Sequence, residues 1–189
     1  MRIPKTIAFL ALLPTLTTGC ERTSADGEAP PVSAAPSVYR ETDSAASGMF
    51  AVPLADLEGN RTTLARHAGK PMLIEVWATW CGPCRKVRSI IRQHQDELES
   101  VATLVGVSVD QGGAQVVKSY LTKSPSPGMH EFMVTPEFRR AIAALDTRNT
   151  VPKLIYVGPD GRIANLSYGV NSANFMTGLL RNLGARKAG

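Results

Sequence analysis

An apolar run that leads directly into two closely spaced cysteines constrains the fold of this chain more than any other feature. Residues Met72–Trp77 have the composition of a buried β-strand, and Cys81 and Cys84 follow within one short turn. The next stretch, residues 85–100, carries apolar side chains at helical spacing. A strand, a C-x-x-C motif and a helix in this order predict an α/β domain with thiol–disulfide redox chemistry.

The two cysteines are expected to have different roles. Cys81 falls at the N-terminal end of the predicted helix, where unpaired N–H groups and the helix dipole favour a thiolate, so we expect it to be the attacking nucleophile. Cys84 lies one turn further into the helix and is expected to be the more buried, resolving thiol. Gly82 permits a tight turn, and Pro83 fixes a helical φ where a missing N–H costs nothing.

A zinc half-site and a static disulfide are the alternatives to redox chemistry. A tetrahedral zinc site needs four ligands, whereas the sequence has no second C-x-x-C and no paired histidines at ligand spacing. Haem attachment needs a histidine after the second cysteine, where this chain has Arg85. We expect His67, His94 and His130 to be isolated surface or core residues, and we predict neither a metal nor a bound cofactor.

The first 20 residues have the pattern of an export signal. Arg2 and Lys5 precede an apolar segment at residues 6–16 that is too short to span a bilayer. A small residue followed by Cys20 resembles a bacterial lipoprotein signal, in which the cysteine becomes the lipidated first residue of the mature protein. Thr17 stands where such signals usually carry Leu, so an ordinary secretory signal remains the alternative. Acylation of Cys20 would leave a single redox pair in an oxidising compartment.

The rest of the chain divides into a linker and one domain. Residues 21–47 are rich in Ala, Pro, Ser and Glu, which predicts a flexible tether. Residues 48–189 have the size of one domain with a single core. The formal net charge is +5, but the basic residues cluster only at 85–88 and 139–140. We interpret these clusters as solvated helix faces and predict no nucleic-acid partner.

Strands alternate with helices through the predicted domain, which indicates an α/β sandwich with a mixed sheet. An N-terminal hairpin precedes the first buried strand, and a second hairpin and a helix close the domain. The remaining predicted strands are 103–109, 131–134, 153–157 and 162–168, and the remaining helices are 114–122, 136–145 and 172–183.

The pentapeptide WCGPC at residues 80–84 matches the active-site signature of the thioredoxin superfamily letter for letter. The segments around it resemble the TlpA/ResA branch of that superfamily, which comprises exported, often membrane-tethered reductases. The resemblance implies a thioredoxin-like three-layer sandwich with a mixed central sheet flanked by helices. It also implies the N-terminal hairpin and a central insertion within residues 110–149. The segments that carry it are 50–64, 69–71, 72–85, 105–110, 151–152 and the turn at 160–161.

The resemblance also implies a substrate-binding set around the motif. Val151 and Pro152 match the family's cis-proline, which helps to bind extended substrate backbone beside the disulfide. Pro152 also opens a predicted strand, which a trans bond would permit, but the resemblance favours cis. Trp80, Gly82 and Pro83 complete the set, and Trp80 is expected to pack against the motif.

Glu75 occupies the position where thioredoxin has a buried aspartate under the resolving thiol. A carboxyl group inside an apolar strand should have a raised pKa because burial disfavours its charge. We therefore predict that Glu75 accepts and returns the proton of Cys84. The alternative is that Glu75 points to a strand edge and pairs with a Lys or Arg.

The predicted function is reduction of disulfides at the periplasmic side of a bacterial membrane. The dipeptide Gly82-Pro83 is that of the reducing thioredoxin and not that of the oxidant DsbA, which favours a low reduction potential. The expected partners are disulfide-containing exported proteins, such as those of cytochrome c maturation, and a membrane electron donor. A disulfide oxidase or isomerase, and a copper-delivery protein that binds metal through Cys81 and Cys84, are the alternatives.

Overall fold

Seven strands form one mixed sheet in the computed structural model, which describes residues 49–185. The strand order is β2-β1-β5-β4-β3-β6-β7. The strands are β1 (Leu54–Asp56), β2 (Arg61–Thr62), β3 (Met72–Trp77), β4 (Thr103–Ser108), β5 (Met129–Met133), β6 (Lys153–Val157) and β7 (Ile163–Tyr168). The helices are α1 (Gly82–Gln93), α2 (Gln95–Val101), α3 (Ala114–Lys123), α4 (Pro136–Leu145) and α5 (Ala173–Ala185).

Strand β3 lies at the centre of the fold, and every one of its residues is buried. It pairs in parallel with β4 and antiparallel with β6, and β4 pairs in parallel with β5. Apolar side chains of α1, α2 and α5 pack on one face of the sheet, and those of α4 and the N-terminal segment pack on the other. These layers on both faces of the sheet confirm the predicted thioredoxin-like three-layer sandwich, and they explain why β3 is apolar at every position except Glu75.

The structure corrects the predicted helix at 85–100. Helix α1 ends at Gln93 and α2 begins at Gln95, because His94 adopts non-helical dihedral angles between them. The break directs α2 toward α5, where Glu97 pairs with Arg181 at 3.2 Å. Other boundaries differ by a few residues, as is usual for element ends. The N-terminal hairpin is present as β1 and β2, and the stretch 110–149, within which the insertion is predicted, contains α3, β5 and α4.

The predicted signal at residues 1–20, the lipidated Cys20 and the linker at 21–47 all lie outside the described residues. Between residues 49 and 185, no helix is both long and apolar enough to cross a membrane.

Candidate active site

A disulfide joins Cys81 and Cys84 at the start of α1, with their Cα atoms 5.3 Å apart. Cys81 is the N-cap of the helix, and its Sγ accepts a hydrogen bond from the backbone N–H of Cys84 at 3.1 Å. Cys84 is fully buried, while Cys81 retains 4% of its surface. The structure thus places the two sulfurs as the sequence predicts, with the more accessible one where an anion is favoured.

Asp110 holds the loop between β3 and the C-x-x-C motif in place, a role that was not predicted for it from the sequence. Asp110 accepts hydrogen bonds from the backbone N–H and the hydroxyl of Thr79, at 2.9 and 2.7 Å. The hydroxyl of Ser108 donates to the same carboxylate at 2.8 Å. Because Thr79 lies two residues before Cys81, these bonds fix the approach of the chain to the disulfide.

The peptide bond between Val151 and Pro152 is cis, which confirms the conformation that the resemblance favoured. Val151 packs against the cluster that contains both cysteines and Trp77. Pro152 directly precedes β6, the antiparallel neighbour of β3. The segment that the resemblance implies for substrate binding therefore reaches the disulfide cluster through Val151.

The exposed side of the site consists of the residues flanking Cys81. Trp80 is 67% exposed, so most of its ring faces solvent and does not pack against the motif as expected. Pro83 is also exposed, and Gly82 is half-buried in the first turn of α1. An open apolar side chain beside a reactive sulfur is available to a docking polypeptide.

Glu75 is fully buried in β3, on the face that α1 covers. Its Oε2 forms an ion pair with Nε of Arg88 at 3.0 Å. Burial raises the pKa of Glu75 to about 8, against the opposing effect of the Arg88 guanidinium. The predicted raised pKa is confirmed, and the alternative is right about an arginine partner but wrong about a strand edge, because β3 is central.

Arg88 corrects part of the interpretation of residues 85–88 as a solvated helix face, since Arg85 and Lys86 are exposed as predicted but Arg88 is buried. Its side chain is only 3% exposed, and its two Nη atoms donate to the carboxylate of Glu131 at 2.7 and 3.1 Å. Nη1 also donates to the hydroxyl of Ser126 at 3.0 Å. The helical spacing contained the signal, since residue 88 falls in the buried series 84, 87, 88 and 91.

A glycine makes room for this buried cation. Gly106 of β4 lies opposite Glu75 on one side and opposite Glu131 on the other, so the two carboxylates flank it in one row across the sheet. A Cβ at Gly106 would lie 2.6 Å from Nη2 of Arg88. The guanidinium also lies over the ring of Trp77, 3.3 Å from its centroid, which is a cation–π contact.

The prediction that the three histidines are isolated is wrong for His67 and His130. The rings of His67 and His130 lie 4.4 Å apart, and burial lowers the pKa of both, helped by the charge of Arg66. His94 stands at the break between α1 and α2, 3.7 Å from Glu97. Within the described range, no group of three or more His, Cys, Asp or Glu side chains is placed to hold a metal ion.

Comparison with known proteins agrees with this geometry. Residues 58–128 match the family model named thioredoxin. The chain is 40% identical over 48 residues to thioredoxin 1 of Chlorobaculum tepidum, which covers 25% of this chain and 48% of that protein. It is 25% identical over 116 residues to the thiol-disulfide oxidoreductase ResA of Bacillus subtilis, covering 61% of this chain and 63% of that protein. These matches span less than two thirds of the length of either relative.

Among solved structures, the chain is similar to a thioredoxin-like protein from Porphyromonas gingivalis. The TM-score is 0.58 at 24% sequence identity, and the similar region covers 74% of this chain and 94% of that one. At this identity the likeness shows the fold alone.

Proposed function

We propose that the whole protein reduces disulfides in exported proteins, because residues 58–128 match the thioredoxin family model and Cys81 and Cys84 form the disulfide expected of a thiol–disulfide oxidoreductase. The observation that carries the proposal is the Cys81–Cys84 pair at the N-terminus of α1, beside the cis bond of Val151–Pro152. Together they supply a nucleophile, a resolving thiol and a backbone segment that can bind the substrate.

The reaction begins with the dithiol form of the protein. The thiolate of Cys81 attacks one sulfur of a substrate disulfide, so the substrate S–S bond breaks and a mixed disulfide forms while the second substrate sulfur leaves and takes up a proton. Cys84 then attacks the Cys81 sulfur, which releases the reduced substrate and forms the intramolecular disulfide. Two electrons pass from the protein to the substrate, and a dithiol donor must return them.

The proton of Cys84 needs an acceptor because this thiol is fully buried. Glu75 lies on the β3 face that α1 covers, and its raised pKa, about 8, lets it take up and return a proton near neutral pH. Glu75 therefore acts as the base for the resolving step.

The sequence supports a direction and a location for the proposed reaction. Gly82-Pro83 is the dipeptide of reducing thioredoxin, which supports reduction over oxidation. The pattern of residues 1–20 supports export, and Cys20 supports a lipid anchor at the periplasmic side of a bacterial membrane. An oxidising compartment has no reducing thiol buffer, so the two electrons must come from a membrane donor. Exported proteins with misplaced disulfides, including apocytochromes c, are the proposed substrates.

Trapping of mixed disulfides tests this function. The variant Cys84→Ser retains the attacking thiol but cannot resolve, so it should hold exported substrates as adducts that a reductant releases. Mass spectrometry of the adducts identifies the partners. Cys81→Ser is the matched control, because it keeps one thiol but removes the nucleophile, and it should trap nothing. Equal trapping by both variants, or by neither, would contradict the proposal.

The reduction potential distinguishes a reductase from an oxidase or isomerase. Equilibration with a glutathione buffer should give a value near that of thioredoxin, about −270 mV, and far from that of DsbA, about −120 mV. A value near the latter would reassign the protein as an oxidant.

A further inference from the structure

Three ionisable side chains lie together beneath α1. Glu75 is fully buried, Arg88 is 3% exposed and Glu131 is 9% exposed. If all three were charged, this space would hold two negative charges and one positive charge. Two carboxylates that share a buried site cannot both ionise easily, so one of them is biased to hold a proton.

The contacts indicate which carboxyl group holds it. Both oxygens of Glu131 accept hydrogen bonds from Arg88, at 2.7 and 3.1 Å, which is the bidentate geometry that stabilises a carboxylate. Glu75 has only the ion-pair contact between its Oε2 and Nε of Arg88 at 3.0 Å, and neither of its oxygens accepts a hydrogen bond from any residue between 49 and 185. Arg88 is thus committed mainly to Glu131, and the proton belongs on Glu75.

The cluster is also aligned with the resolving thiol. Cys84 and Arg88 are four residues apart in α1 and therefore lie on the same face, one turn apart. Other elements packed against Glu75 add no charge at this row, because its neighbours on β4 and β6 are Gly106 and Leu154. The charged groups that act on Glu75 are therefore Arg88 and Glu131, and Cys84 adds a titratable thiol on the same helix face only in the reduced protein.

We infer that Arg88, held in place by Glu131, is a positioning residue that sets the proton affinity of Glu75 and with it the pH range of the resolving step. The role in the resolving step rests on the proposed function. Arg88 favours the Glu75 carboxylate, and Glu131 offsets that effect by neutralising Arg88. The pair therefore keeps the pKa of Glu75 above that of an exposed glutamate and below that of a buried glutamate with no charged neighbour.

Titration of Glu75 in the oxidised protein tests this inference without turnover. The protein is labelled with ¹³C at the glutamate side-chain carboxyl, and the resonance lost in Glu75→Gln identifies Glu75. In Arg88→Met the titration midpoint should rise by about one pH unit or more, because the favourable cation is gone. In Glu131→Gln the titration midpoint of Glu75 should fall, because Arg88 no longer divides its charge between Glu75 and Glu131.

The direction in Arg88→Met is decisive. A merely structural role would let water reach Glu75 in that variant and would lower the midpoint toward that of an ordinary glutamate. Arg88→Lys keeps the charge and should restore most of the parent value. The double variant Arg88→Met with Glu131→Leu replaces the ion pair with apolar side chains, which buried pairs often tolerate, and it should also raise the midpoint if the single variant does not fold.

Glu137→Gln is the matched control, because Glu137 is a carboxylate on α4 that pairs with Arg61 and Arg140 away from the site. It should leave the Glu75 midpoint unchanged. A midpoint that falls or stays constant when Arg88 is replaced by methionine would overturn the inference.

The pH profile of disulfide reduction links the cluster to the reaction. Its midpoint should shift in the same direction as the Glu75 titration in each variant, and the shifts should vanish in a Glu75→Gln background. Carboxyl titrations that move while the profile stays fixed would refute the role of Arg88 in the resolving step. Failure of the trapping experiment would instead refute the proposed function and leave the titration result standing.

Discussion

Glu75 is a carboxyl group in a fully buried strand of the sheet, and the fold retains it at an energetic cost. Its pKa is raised to about 8, first by burial and then by the negative charge of Glu131, while Arg88 opposes both. A group whose folded pKa lies above its unfolded value destabilises the folded state as it ionises. The protein should therefore lose stability as pH rises from about 4.5 to about 8.

Glu75→Gln should remove this loss. We expect the variant to be more stable than the parent at pH 9 by about 2 kcal/mol or more, and the difference should shrink toward pH 5, where the parent glutamate is largely protonated. Denaturant unfolding of the oxidised proteins at several pH values measures the stability difference at pH 9 and its decrease toward pH 5. Glu58→Gln, at an exposed position, should match the parent at every pH. A constant difference between parent and Glu75→Gln across the pH range would argue against a shifted carboxyl.

Helix α4 is connected to β6 by a charged contact beside the cis-proline. Asp146, the C-cap of α4, pairs with Nζ of Lys153 at 2.7 Å and with Nε of Arg148 at 3.0 Å. Burial would raise the pKa of Asp146, but the hydrogen bonds from Lys153 and Arg148 outweigh it and lower the pKa. Nζ of Lys153 also donates to the carbonyl of Arg148 at 2.9 Å. These bonds fix both ends of the loop that delivers Val151 to the disulfide.

Asp146→Asn should destabilise the protein by about 2 kcal/mol at pH 7, because the buried ammonium of Lys153 loses its counter-charge. A depressed folded pKa contributes stability above the unfolded pKa, near 3.9, and that stability is lost as pH falls. The destabilisation should therefore shrink below about pH 4 in unfolding experiments. Asp160→Asn is the control, because Asp160 is largely exposed and should change stability by less than about 0.5 kcal/mol. A pH-independent difference in Asp146→Asn would point to packing instead of charge.

The parts of the molecule that were predicted well from the sequence are those whose structure depends on residues adjacent in the chain. The strand at 72–77, the motif and the start of α1 adjoin one another, so their geometry follows from periodicity and helix capping. Glu75 was recognisable because a carboxylate is rare inside an apolar run. The cis state of Val151–Pro152 was expected only through family resemblance, since the residues alone permit a trans bond.

The buried cation escaped prediction because its partners are distant in sequence. Arg88 meets Glu131 through a separation of 43 residues, and the pairing of β4 with β5 that places Glu131 beside Gly106 cannot be read from local periodicity. The ring contact between His67 and His130 has the same origin. An arginine in the buried stripe of an amphipathic helix is nevertheless a usable signal, because a buried charge requires a partner somewhere in the fold.

At the scale of the whole molecule, the proposed membrane anchor and the disulfide chemistry are expected to be independent of each other. Cys20 lies outside the described residues, while the redox pair and its supporting charges lie within residues 49–185. Cys20→Ala should therefore move the protein from the membrane to the soluble periplasmic fraction, because stable anchoring takes about two acyl chains and none could attach. The purified variant should reduce a soluble disulfide substrate as fast as the parent.

Metabolic labelling with a fatty acid and cell fractionation measure the first outcome, and a disulfide reduction assay measures the second. Cys84→Ser serves as the reciprocal control, because it should keep the lipid label and the membrane location while losing turnover. A Cys20→Ala variant that keeps its membrane location would place the anchor elsewhere in the chain. The ordinary secretory signal would then account for export, and Cys20 would remain as a free thiol in an oxidising compartment.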